Sequence, residues 1–429
     1  MKRLYNIVLF CFLLGQMPRL FLRFGKGRSL AKGMRERLGR YPAVTISRLH
    51  GRAPIWVHAV SVGEVMVAEI LIRRLQGQYP AIPIVLSTVT DTGRAVARKR
   101  LGDLVQVCYF PFDFPGPVAR AIEGISPRLV LLTEAEIWPN FLTACHARYI
   151  PVLLYNGRIS DRSYRRYRLV RRWLGDLLGM LGRFGMRTEV DAARILELGV
   201  APAKVLVTGN LKYDLAPPVT DGEEIQRWRR ILAGRPVVVA GSTHRGEERE
   251  LIGAFRAIQT EFPTAVLILA PRHPERCAEV YDLVKGAGLS VLRRTAMGNP
   301  SVPPAVILLD TVGELTQLYA LGDVAFIGGS LVPWGGQNLL EAAQFRRAVL
   351  FGPHMHNFQE IADAFLQEDP GFLVRNSAEL TSRLLTLLRN PEEAAHLGEA
   401  GGRVLARNRG AVDRTLELIA PYLVGRGET

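Results

Sequence analysis

The pattern best placed to move a proton is Trp56-Val57-His58-Ala59-Val60-Ser61-Val62-Gly63-Glu64. A short apolar run ends there in Ser-Val-Gly-Glu, and helical spacing of Val67, Ile70, Leu71 and Leu75 begins at once. That predicts a buried strand, a tight turn and a helix with a carboxylate in its first turn. In open α/β sheets ligands bind beyond the strand C-termini, where a carboxylate can take a proton from a bound hydroxyl. Ser61-x-x-Glu64 also fits a capping box, in which Glu64 only satisfies backbone N–H groups, and the spacing alone leaves both roles open.

Three later loops offer groups for an anion. Ser242-Thr243-His244-Arg245-Gly246-Glu247 follows the run 237–241 and places N–H groups ahead of a helix. Pro271-Arg272-His273-Pro274-Glu275-Arg276 follows 265–270; Arg272 there suits a bidentate oxyanion contact or, equally, a surface ion pair. Gly329-Ser330-Leu331-Val332-Pro333-Trp334-Gly335-Gly336-Gln337-Asn338-Leu339-Leu340-Glu341 follows 324–328. Its glycines let backbone approach a ligand closely, and Glu341 can accept hydrogen bonds from ribose hydroxyls while also capping a helix. Neither Gly-x-Gly-x-x-Gly nor a loop ending in Gly-Lys-Ser/Thr occurs, which disfavours a hydride-transfer cofactor or an ATPase. There is no Gly-x-Ser-x-Gly elbow for a serine hydrolase. His354-Met355-His356 has no acidic cluster to complete a shell, so no metal is expected.

Strands and helices in alternation must position these groups. Runs rich in β-branched residues predict strands at 55–60, 84–88, 105–110, 129–133, 152–156 and 184–187, then at 237–241, 265–270, 291–294, 306–310, 324–328 and 348–352. Helix-length segments between them imply right-handed crossovers and parallel sheets, with one doubly wound Rossmann-like α/β domain in each half. The join is expected within 204–235, where Pro217-Pro218 and Gly234 punctuate the chain. This gives an N-terminal segment 1–28, a first domain 29–209 and a second domain 210–429 whose last helices pack back toward the first, with ligands expected in a cleft between the two.

Composition narrows the partners. A length of 429 residues, 48% hydrophobic and 22% charged, suits two or three globular domains and excludes a disordered chain. Cys11, Cys108, Cys145 and Cys277 are scattered singly, which argues against a disulfide framework and fits a reducing cytoplasm. The formal charge of +15 favours phospholipid headgroups or a phosphorylated substrate. It would also suit nucleic acid, but no stacking motif or zinc finger accompanies it. Residues 4–14 are apolar, flanked by Lys2, Arg3, Arg19, Arg23, Lys26 and Arg28, shorter than the roughly 20 residues a full span needs. That suits a membrane anchor with cationic flanks on anionic headgroups. A single amphipathic helix is expected over 164–181, with Arg165, Arg166, Arg168, Arg171 and Arg172 facing a membrane, a phosphorylated ligand or solvent.

Two Rossmann-like domains, a nucleotide-grade loop in the second and a carboxylate in the first fit, by analogy of layout, a GT-B sugar-nucleotide glycosyltransferase. The motifs at 58–64, 133–140 (Thr-Glu-Ala-Glu-Ile-Trp-Pro-Asn), 209–214 (Gly-Asn-Leu-Lys-Tyr-Asp), 271–276 and 328–341, in this order, closely resemble the bacterial 3-deoxy-D-manno-octulosonic acid (Kdo) transferases of lipopolysaccharide inner-core synthesis. The likeness runs over nearly the whole chain, with departures at Ala59, Ala135 and Leu339. It implies a membrane-associated, inverting GT-B enzyme moving Kdo from CMP-Kdo to a lipid A precursor (lipid IVA) on the cytoplasmic face of the inner membrane, among its phospholipids and without a metal. On the matching positions, Glu64 is the proton acceptor, and Glu134 and Lys212 are the groups that stabilise the transition state. CMP is bound by Pro271 and Arg272, by Val312, Gly313 and Glu314, and by Asn338, Leu339, Leu340 and Glu341. A UDP-sugar transferase or epimerase shares the second-domain loop but does not need the motif at 58–64. A non-catalytic membrane-surface protein explains the charge but leaves the loops idle.

Overall fold

The computed structural model describes residues 5–7, 9–11, 28–215, 222–232, 234–298 and 304–423. The chain divides into two compact units, Met1–Asp214 with Arg409–Thr429, and Leu215–Asn408. The first division therefore falls five residues beyond the expected 209/210 join, and the last helix belongs to the first unit. Asp214 explains the placement: its carboxylate accepts N–H bonds from Gly410 (2.7 Å) and Val412 (2.6 Å), and helix Ala411–Ile419 then packs on helix Val62–Gln78.

Among the described residues unit 1 holds seven parallel strands: β1 Ile55–His58, β2 Ile84–Thr88, β3 Gln106–Tyr109, β4 Leu129–Thr133, β5 Val152–Gly157, β6 Arg183–Met186 and β7 Val205–Val207. Their order is β3-β2-β1-β4-β5-β6-β7. Side chains alternate across the sheet, as the period of two requires. Trp56, Val130, Leu132, Val152 and Leu154 enter one core with Phe110, Phe141 and Phe184; Ile55, Val57, Leu129, Leu131 and Leu153 enter the other with Val65, Leu71 and Ile419. Both faces are thus covered, and the strands read as continuous apolar runs.

Unit 2 has, among the described residues, six parallel strands: β8 Val237–Thr243, β9 Val266–Pro271, β10 Val291–Arg293, β11 Val306–Leu308, β12 Val324–Ile327 and β13 Ala348–Phe351, in the order β10-β11-β9-β8-β12-β13. The strand order reverses direction between β1 and β4 in unit 1 and between β8 and β12 in unit 2. The crevices that bind ligands in such sheets open at these two points.

Two expectations are altered. The helix over 164–181 is broken into Asp161–Leu169 and Arg171–Gly179, because Val170 leaves helical geometry at φ −117° and ψ 21°. The first piece, begun by Ser160 accepting the Ser163 N–H, buries no residue, while the second buries Leu174, Leu177 and Leu178. The break lets only the apolar piece follow the core. The apolar segment 4–14 and its flanks lie largely outside the described residues; of it, 5–7 and 9–11 are helical. Tyr5 donates to Asp113 (2.9 Å) and its ring meets Trp173, while Ile7 and Phe10 are exposed. Among the described residues no helix is long and apolar enough to cross a membrane.

The Asp214 tie sets a measurable stability. Asp214→Ala removes two hydrogen bonds to a charged acceptor, worth about 1.5–3 kcal/mol. Urea unfolding should show a loss of that order, with faster proteolysis near Arg409.

Candidate active site and donor loops

Glu64 sits where β1 turns into helix Val62–Gln78. Its Oε2 accepts the Val60 N–H (2.9 Å) and its Oε1 accepts the Ser61 hydroxyl (3.0 Å). Ser61 makes no side-chain cap to the helix, so only the carboxylate half of a capping box is formed. The carboxylate is 8% exposed, and a Cβ on the neighbouring Gly63 would meet nothing within 4 Å. Burial, opposed by these hydrogen bonds and reinforced by the charge of Glu134, pushes the Glu64 carboxyl up to about 7. A base poised near neutrality is the useful kind.

Glu134 follows β4 on the far side of the same strand reversal, in the left-handed region at φ +63°. Such a backbone costs on the order of 1–3 kcal/mol and persists only when its surroundings fix it. Here they do: its N–H bonds the Tyr155 carbonyl (3.0 Å), and its carboxylate pairs with the buried Arg187. Arg187, at the end of β6, is itself held by the Asn156 carbonyl at 3.1 Å. Asn156, also left-handed at φ +53°, accepts the Leu211 N–H through its side chain at 3.0 Å. This draws the Leu211–Tyr213 turn, which carries Lys212, back from β7 toward β5 and onto helix Val62–Gln78. Glu64, Glu134 and the turn carrying Lys212 each follow a strand of the same sheet, β1, β4 and β7.

The sequence singled out neither Arg187 nor Glu136 as site residues. Glu136 lines a small apolar cavity with Leu154, Ile159, Tyr167 and Phe184. Burial, then the charges of Glu64 and Glu134, pushes its carboxyl up to about 8. Two carboxylates two residues apart at a strand end were the available signal. His58, by contrast, is a core residue. It is fully buried, stacked on Phe110 at 3.9 Å, bonded through Nδ1 to Ser87, and driven down to about 3 by desolvation.

In unit 2 a single carboxylate organises the strand reversal. Glu247, 0% exposed, accepts N–H bonds from His244 (2.9 Å), Gly329 (2.6 Å), Ser330 (2.9 Å) and Leu331 (3.0 Å). The N–H groups expected to bind an anion after β8 are thus partly taken by an internal one. Beside them, Arg272 is exposed at the end of β9, its N–H on the Thr243 carbonyl at 2.9 Å. Arg245 and Arg276 pair with Glu279 and Glu248, whereas Arg272 has no ion pair among the described residues. Pro271 is buried, and Leu339 and Leu340 are 0% exposed, so these two leucines can offer a ligand only their main chain. Helix Leu340–Ala343 has four residues, too short for a substantial dipole. Glu341 accepts from Thr316 Oγ1 (3.1 Å) and Asn338 Nδ2 (3.3 Å). Val312 is exposed, Gly313 is left-handed at φ +107°, and Glu314 is gripped by Arg294 Nε at 2.8 Å. Among the described residues no cluster of three His, Cys, Asp or Glu is arranged to hold a metal ion.

The family model for 3-deoxy-D-manno-octulosonic-acid transferases matches residues 32–215. The chain is 37% identical to the 3-deoxy-D-manno-octulosonic acid transferase of Haemophilus influenzae, over 86% of this chain and 87% of that one. The chain belongs to the Kdo transferase family. The transferase of Bordetella pertussis is 35% identical over 86% and 88% of the two chains. A UDP-GlcNAc 2-epimerase structure from Neisseria meningitidis covers 87% of this glycosyltransferase and 100% of its own chain at a TM-score of 0.55 and 14% identity, a likeness of fold alone. Two parallel-sheet α/β units of this kind make the GT-B architecture.

The carboxylate cluster can be titrated directly. Carboxyl-carbon NMR should place Glu64 near 7, and Glu134→Gln, which removes a like charge, should lower it. An unmoved Glu64 titration would mean that the two groups are not coupled.

Proposed function

We propose that this glycosyltransferase moves Kdo from CMP-Kdo to a lipid A precursor with inversion at the anomeric carbon. The observation that carries the reading is Glu64: a carboxylate held near neutrality at the strand reversal of unit 1, in a chain of this family. The acceptor hydroxyl gives its proton to Glu64 as its oxygen bonds the Kdo anomeric carbon. The carbon–oxygen bond to phosphate breaks, and CMP departs with the electron pair as a phosphate monoester. An in-line arrangement of this kind needs the base on the acceptor side of the sugar. Glu134, fixed by Arg187, and Lys212 stabilise the charges that develop. Unit 2 supplies the nucleotide contacts, with Arg272 on the phosphate, segment 312–314 toward the base and Glu341 on the ribose. No metal is required in this scheme, since Arg272 supplies the positive charge.

The membrane is the proposed place of work, on the cytoplasmic face of the inner membrane. The apolar segment 4–14, the exposed Ile7, Phe10 and Leu169, and the arginines of 162–172 support contact with a bilayer holding an acylated, phosphorylated acceptor.

One assay tests the reaction: CMP release from CMP-Kdo with a tetraacylated lipid A precursor, followed by product mass. Glu64→Gln should lower turnover by roughly 10²–10⁴, as loss of a general base does, with folding intact. In the unsubstituted enzyme the rate should fall as pH drops through about 7, because the base is lost as Glu64 protonates. Near-normal turnover in a folded Glu64→Gln variant would return Glu64 to a capping role. For the membrane reading, deletion of residues 1–23 should release protein from anionic vesicles while sparing CMP binding. Unchanged sedimentation would place the contact elsewhere.

A further inference from the structure

The unit 2 sheet edge carries two polar clusters. Glu341 is bonded to Thr316 and Asn338 and lies near Tyr319, on the side of segment 312–316. His244 belongs to the second cluster, its ring 5.7 Å from that of His273 and nearly perpendicular to it. Burial and the neighbouring His273, Arg272 and Arg276 hold its imidazole down to about 4, so it is neutral.

In this second cluster the Trp334 indole stacks on the His244 imidazole, centroids 4.9 Å apart and planes 15° from parallel. The imidazole covers one face, yet Trp334 remains 56% exposed, which leaves its other face open. The ring is also fixed. Glu247 ties His244 to Gly329, Ser330 and Leu331, Gln337 Nε2 lies 3.2 Å from His244 Nε2, and the Trp334 carbonyl accepts from Asn357 Nδ2 at 3.1 Å. A large aromatic held rigidly with one bare face, at the β8/β12 reversal, is built as a binding surface.

We propose that the open face of Trp334 is the stacking platform for the sugar ring of the donor. The inference rests on the CMP-sugar reading above. With the nucleoside on the side of segment 312–316 and Glu341, and the phosphate at Arg272, the sugar on the far phosphate oxygen extends away from the nucleoside. His244, which feels the charge of Arg272, and Trp334 stacked on it stand beside that phosphate position. A pyranose presents a face of C–H groups, which an indole's electron-rich face attracts. A base-stacking role would instead require an aromatic on the Glu341 side.

Calorimetric titration of the full chain with CMP and with CMP-Kdo, in the absence of acceptor, separates the possibilities. Trp334→Ala should weaken CMP-Kdo by roughly 3- to 10-fold, the range for loss of one ring contact, and leave CMP unchanged. Trp334→Phe should recover much of the loss, and Glu341→Ala should weaken both ligands together. Equal losses for CMP and CMP-Kdo in Trp334→Ala would reduce Trp334 to a support of the loop, and no loss for either would leave it without a role; both overturn the proposal. If the unsubstituted protein binds neither ligand, the donor reading itself fails and the platform falls with it. Binding of both by that protein confines any failure to Trp334.

Discussion

The rest of the structure depends on burying both faces of two parallel sheets. Once Trp56, Val130 and Leu154 fill one face of unit 1 and Ile55, Leu131 and Leu153 the other, no polar side chain can leave the middle of a strand without losing water. Chemistry is therefore confined to strand ends. The strand order then decides which ends adjoin, placing the Glu64 turn beside the Glu134 loop in one unit and the 242–247 turn beside the 328–341 loop in the other.

At both places a buried carboxylate is the organising charge, with opposite outcomes. Glu64 accepts from the Val60 and Ser61 backbone and from the Ser61 hydroxyl, too little to offset its desolvation, and its proton is held up to about 7. Glu247 accepts four backbone N–H groups and welds two loops together. The first arrangement leaves a group able to exchange a proton, while the second spends the hydrogen-bonding capacity of both oxygens on structure. Burial raises both; the number and kind of donors separates their uses.

Arg187 shows how strain and charge are joined. The left-handed backbone at Glu134 turns its carboxylate toward a guanidinium that is buried and anchored to Asn156, and Asn156 in turn holds the Lys212 turn. One chain of contacts thus links β4, β5, β6 and β7 at a single edge. Loss of Arg187 would disturb Glu134 and Lys212 together, although no signal in the motifs marked it.

The sequence by itself determined most of the strands, because parallel strands buried on both faces must be continuous β-branched runs; β7, three residues long and at the sheet edge with none of them buried, was not among the predicted runs. It also determined that Glu64, Glu134 and Arg272 would stand at or just beyond strand ends, since each motif follows such a run at once. Tertiary structure decided the rest. Glu134 meets Arg187 across 53 residues and Glu247 meets the glycine loop across 82–84, distances over which no local pattern operates. The break at Val170, the return of the last helix to Asp214, and the stacking of Trp334 on His244 likewise arise only when separate elements pack. The protonation of Glu64 is of the same kind, because desolvation is a property of the assembled surroundings rather than of any residue type.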